Sequence, residues 1–91
     1  MIMIANIDKP LLNYEDALLY VSLLDIDGHN DWRLPKVEEM NDITNDIDDK
    51  FGFHWTSDVA NDDRNYVANV WGTYKRSALY WKHFVIAVRD M

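Results

Sequence analysis

Hydrophobic positions change their spacing along this 91-residue chain. In "MIMIANI", Ile2, Ile4 and Ile7 fall at the near-alternating positions of a half-buried strand, which Lys9-Pro10 would end. From Asn13 the period lengthens: Ala17, Leu18, Val21 and Leu24 recur at helical steps, Asn13 suits an N-cap, and Asp16 stands at the capping-box distance. A helix over 14–25 is predicted. "DIDGHND" supplies a turn around Gly28, and Pro35 suits the first turn of a second helix, whose apolar stripe is Val37, Met40, Ile43 (or Thr44) and Ile47. That helix is predicted over 36–49.

Beyond Gly52 the short runs "FHWTS", "NYVANVW", "ALYWK" and "HFVIAVR" read as strands, with nine of the twelve aromatics in residues 51–91. Helices followed by strands predict an α+β domain: two N-terminal helices packed on one side of a small antiparallel β-sheet. No repeat or linker divides the chain, so residues 1–91 are expected to form one domain.

Composition adds that the chain folds, since 48% hydrophobic and 13% aromatic residues are too many for a disordered acidic tail. Without cysteine, neither disulfides nor thiolate metal sites nor a Cys nucleophile can be invoked, and a reducing compartment fits best. The N-terminus lacks a basic region and a long apolar region, so no signal peptide is expected. Runs such as "ALLYV" and "FVIAV" are far shorter than the ~20 residues of a membrane span.

Charge changes the picture most. The net charge is −7, and residues 1–63 carry 15 acids against 4 bases, whereas residues 64–91 carry 5 bases and 1 acid. Asp outnumbers Glu by 13 to 3, although Glu is the better helix former. On the predicted second helix, Glu39, Asp42, Asp46 and Asp49 step by three and four along the face opposite the apolar stripe, flanked by Glu38 and Asp48. Like charges so placed repel, at a few tenths of a kcal/mol per pair. The steps set carboxylates roughly 5–6 Å apart along the axis, against about 7 Å between phosphates on a DNA strand. A row of short, rotamer-poor Asp side chains can therefore imitate a phosphate row. Asp58, Asp62 and Asp63 extend the acidic set. Mixed-sign charges would serve solubility without the repulsion.

Other residues invite chemistry less strongly. Asp25, Asp27 and Asp31 surround Gly28, but an EF-hand loop beginning at Asp25 would need Glu where Lys36 stands, so a turn is preferred to a calcium site. His54 and Ser57 would face opposite sides of a strand, leaving no acyl-transfer pair. Arg64, Lys75, Arg76, Lys82 and Arg89 interleave with Tyr74, Tyr80 and Trp81, but no nucleic-acid-binding signature accompanies them, and these aromatics are expected in the core. No catalytic residue, metal or cofactor is assigned.

The segment "GHNDWRLPKVEEM" resembles the WRLP-type module of unknown function found at the C-terminus of Legionella collagen-like proteins. "YEDALLYVSLL" before it, "HWTSD" after it and the closing "FVIAVRD" occur in the module's order. The resemblance implies a C-type-lectin-like fold with Trp32, Arg33, Leu34, Pro35, Trp55 and Arg89 as framework residues. By size, acidity and Asp content the chain is also similar to the Arn-type DNA-mimic anti-restriction proteins of T-even phages. The expectation is a non-enzymatic, homodimeric inhibitor in the host cytoplasm that occupies the DNA-binding surface of a basic host protein, a restriction enzyme or a histone-like nucleoid protein. Its partner-binding acids would be Glu38, Glu39, Asp42, Asp46, Asp48, Asp49, Asp58, Asp62 and Asp63, without direct contact to nucleic acid or membrane. The alternatives are a lectin-like module binding a ligand or partner through its loops, and a structural component of a phage particle.

Overall fold

The computed structural model describes residues 2–5, 7–43, 52–61, 63–69 and 71–91. Its elements are β1 (Ile2–Ile4), β2 (Leu11–Leu12), α1 (Tyr14–Ser22), a 3₁₀ turn (Val37–Glu39) running into α2 (Met40–Ile43), then β3 (His54–Asn61), β4 (Arg64–Ala68), β5 (Tyr74–Ala78), β6 (His83–Phe84) and β7 (Val88–Asp90). Five strands form one sheet in the order β2-β6-β3-β4-β5, while β1 pairs antiparallel with β7. The sheet is antiparallel except where β3 meets β6 in parallel at His54 and Phe84.

The expected pair of substantial N-terminal helices on a small sheet is overturned: the described chain is mostly strand, with two short helices. The first helix begins as predicted, because the Asn13 side chain accepts the Asp16 N–H at 2.8 Å. It stops at Ser22 rather than residue 25. The Leu23 N–H is shared between the carbonyls of Leu19 and Tyr20, at 3.2 and 3.3 Å, which tightens and closes the last turn. Asp27 (φ 55°) and Gly28 (φ 79°) then reverse the chain, with Ile26 and His29 exchanging backbone hydrogen bonds.

The second helix fares worse. Glu39 turns back to accept the Lys36 N–H at 2.8 Å, and its own N–H reaches the Lys36 carbonyl at 3.0 Å, so the first turn is 3₁₀. Four α-helical residues follow, and the rest of the predicted helix lies outside the described residues.

The helices also sit on opposite sides of the sheet, not on one. Val67 and Ala68 are consecutive on β4 and so point to opposite faces. Val67 belongs to a buried cluster with Ala17 and Val21 of α1, Trp32, Leu34, Trp55, Val85 and Ala87. Ala68 belongs to another with Met40 and Ile43 of α2, Ile86 and Val88. The alternation of residues 85–88 between the two clusters explains the continuous apolar run "VIAV", since the segment joining β6 to β7 is covered on both sides and needs no polar side.

Segment 32–37 crosses this core as a strut. The Trp32 indole donates to the His29 carbonyl at 3.0 Å, and Arg33 and Val88 exchange backbone bonds of 2.8 Å. The Pro35 carbonyl accepts the Ser57 N–H at 2.9 Å, and the Val37 N–H donates to Asp58 Oδ2 at 2.8 Å. The fully buried Trp55 donates its indole N–H to the Leu12 carbonyl at 2.8 Å. Where the β3–β4 register slips, the buried Thr56 and Asn65 side chains replace ladder bonds: Thr56 Oγ1 donates to the Tyr66 carbonyl and Asn65 Nδ2 to the Thr56 carbonyl.

Candidate functional site

The nine acids predicted to bind a partner divide into three groups. Asp46, Asp48, Asp49 and Asp62 lie outside the described residues. Glu38, Asp42 and Asp63 are exposed. Glu39 and Asp58 are half-buried and hydrogen-bonded within the fold, Glu39 to the Lys36 N–H and Asp58 to the Val37 N–H.

Glu39 takes the Arg33 guanidinium in a two-point pair, Nη1 to Oε1 at 2.8 Å and Nη2 to Oε2 at 2.9 Å. Arg33 Nη2 also donates to Asp90 Oδ1 at 2.9 Å, which links the strut, the 3₁₀ turn and β7 through one planar cation. The hydrogen bonds from Arg33 hold the Glu39 carboxyl below its ordinary value of 4.5, against a smaller opposing effect of burial. At the other end of the strut Arg89 donates to both oxygens of Asp31, at 2.7 and 3.2 Å, and lowers that carboxyl in turn. Arg89 thus holds Asp31, whose side chain is 57% exposed, beside the Gly28 turn. Among the described residues no three His, Asp or Glu side chains converge as metal ligands, and no helix is long and apolar enough to cross a membrane.

Glu38 and Asp58 do come together. They line an open groove of about 660 Å³ with Lys36 and Val37 from the same turn, Val59 from β3, Tyr66 from β4 and Tyr74 from β5. Cross-strand pairing explains the tyrosines: Tyr66 faces Arg76 and Tyr74 faces Ala68, so both project from the face of the β4–β5 pair that carries Ala68, beside the 3₁₀ turn and α2. Their rings meet edge to face with centroids 5.7 Å apart. Tyr66 carries no predicted role, and its place on β4, one residue from the buried Asn65, is the signal that would have placed it.

Two further observations correct sequence expectations. Tyr74, Tyr80 and Trp81 are not core residues: they are 58%, 78% and 59% exposed, and Trp71 is 59% exposed. "ALYWK" does not form a strand, because β5 ends at Ala78 and the Trp81 N–H returns to the Ala78 carbonyl at 3.2 Å in a turn. That turn brings His83 back to Ser77, with Oγ and Nε2 2.8 Å apart. Burial, aided by Lys75, lowers the His83 pKa, so the imidazole is neutral near pH 7. Among the described residues no carboxylate orients this imidazole, and the Trp55 ring packs edge-on against it at 5.0 Å. The pair ties β5 to β6. His54 is buried and Ser57 exposed.

Compared with known proteins, the chain matches no protein-family model and no curated protein.

Proposed function

We propose that this is a non-enzymatic acidic binding domain that engages a basic DNA-binding protein on the surface that protein uses for DNA. The observation that carries the reading is the disposition of the acids. Among the described residues, ion pairs engage Glu39, Asp90 and Asp31, while Asp8, Glu15, Asp16, Asp25, Asp27, Glu38, Asp42 and Asp63 are exposed and outside any ion pair. Dispersed carboxylates on a body of net charge −7 present to a basic partner the kind of field a phosphate backbone presents. The strut and its two arginine pairs make the mount of this surface rigid, so little ordering is needed on binding. A restriction enzyme or a histone-like nucleoid protein is the class of partner that fits, and a homodimer would lengthen the charged surface.

A second reading draws on the exposed aromatics. Trp71, Tyr74, Tyr80 and Trp81, at and beyond the ends of the edge strand β5, would suit a ligand-binding module working through its loops. Capture from bacterial lysate at low and high salt, with and without excess duplex DNA, separates the two. Basic DNA-binding proteins released by salt and displaced by DNA support the acidic reading. Salt-insensitive capture, or retention on a glycan array abolished by Trp81→Ala, supports the other.

A further inference from the structure

We infer that the groove between the 3₁₀ turn and the α2-bearing face of β3–β5 seats a single cationic side chain, an arginine or lysine projecting from the basic partner. The inference rests on the proposed function and names the point where recognition becomes specific rather than diffuse.

Chemistry on three sides of the groove converges on a cation. Tyr66 and Tyr74 pack edge to face at 5.7 Å, and Tyr74 is 58% exposed, so ring face with its negative quadrupole remains open to solvent. The protein's own cations found over rings among the described residues are elsewhere: Lys9 lies over Phe84 at 5.0 Å and Lys75 over Phe53 at 4.3 Å. Among the lining residues the two carboxylates, Glu38 and Asp58, outnumber the one ammonium, Lys36; Arg76, cross-strand from Tyr66, does not line the groove. Asp58 is fixed by the Val37 N–H on Oδ2, which leaves Oδ1 for a ligand and costs no rotamer freedom on binding. Val37 and the 66% exposed Val59 add apolar surface against which the methylene stem of an arginine or lysine can lie. An anion would meet two like charges here, and a purely apolar side chain would desolvate them.

The test titrates the folded protein with acetyl-Gly-Arg-Gly-amide and with its glutamine counterpart at constant ionic strength, following the tyrosine ring resonances by NMR. The arginine peptide should shift Tyr66 and Tyr74 saturably, and the glutamine peptide should not. Tyr74→Ala, at an exposed position, should weaken binding about two- to fivefold, the range of a cation–π contact at an exposed site. Asp58→Asn, which retains an acceptor for Val37, and Glu38→Gln should weaken it comparably. Asp25→Asn, an exposed acid that does not line the groove, should leave it within about twofold. Unmoved tyrosines, equal response to the glutamine peptide, or full affinity in folded Tyr74→Ala would overturn the inference. Competition with duplex DNA for a histone-like protein separates the two proposals. If wild type and Tyr74→Ala compete equally, the groove falls and the acidic reading stands. If the peptide seats but wild type does not compete, the groove stands and the acidic reading falls.

Discussion

Replacing Glu39 by Gln tests whether this carboxylate is a structural group or part of an exposed charged row. Gln is isosteric, but where the carboxylate offers two acceptors to Arg33 Nη1 and Nη2, the amide offers one oxygen and sets an NH₂ against the other guanidinium nitrogen. A charge-assisted hydrogen bond contributes about 1.5–3 kcal/mol. With side chains 30% exposed for Arg33 and 15% for Glu39, solvent screening reduces the expected loss to about 1–2 kcal/mol. For a domain of this size that lowers Tm by about 5–15 °C, measurable by circular dichroism. The sign with pH follows from the depressed carboxyl. Its contribution is complete above the ordinary value of 4.5 and disappears as pH falls through the lower folded value, so the difference between wild type and variant should shrink below pH 4.5. An exposed row of like charges predicts the opposite, because removing one member relieves repulsion. A Glu39→Gln variant that melts at or above the wild-type temperature at pH 7 would refute the assignment.

Asp42→Asn, at an exposed position outside any ion pair among the described residues, should change Tm by no more than ~2 °C while weakening partner binding, checked by thermal melting and competition anisotropy. Trp55→Ala removes a fully buried indole that contacts Tyr14 and His83 and bonds Leu12, and should cost about 3–5 kcal/mol in a urea titration. His83 has its pKa depressed in the fold, so its contribution is complete above its ordinary 6.5 and is lost as pH falls below it. In His83→Gln the part of the stability–pH slope just below 6.5 should flatten.

The strand runs "FHWTS" and "NYVANVW" were legible in their β-branched and aromatic composition, and Trp55 and Val67 there are buried, whereas "ALYWK" read as a strand and turns instead after Ala78. The first helix was legible at its start, where Asn13 supplies a local cap, and not at its end, which depends on the shared Leu23 bond and a turn built from two positive-φ residues. The second helix misled because its 3.6-residue pattern was real for Met40 and Ile43 but blind to Arg33, six residues before Glu39. An ion pair between a strut and a turn leaves no periodic trace. The same holds for the groove: Glu38 and Asp58 stood out by charge, whereas Tyr66 and Tyr74 joined them only through the β4–β5 register.

The central claim is that the acids of this domain compete for a surface built to hold DNA. It is tested most directly by fluorescence anisotropy of a labelled duplex pre-bound to a histone-like nucleoid protein, titrated with this protein at low and high salt. The duplex should be released at low salt as the protein is added, and the competing complex should weaken steeply as salt rises. An anisotropy that stays high at low salt, or rises as a ternary complex forms on the DNA, would contradict it.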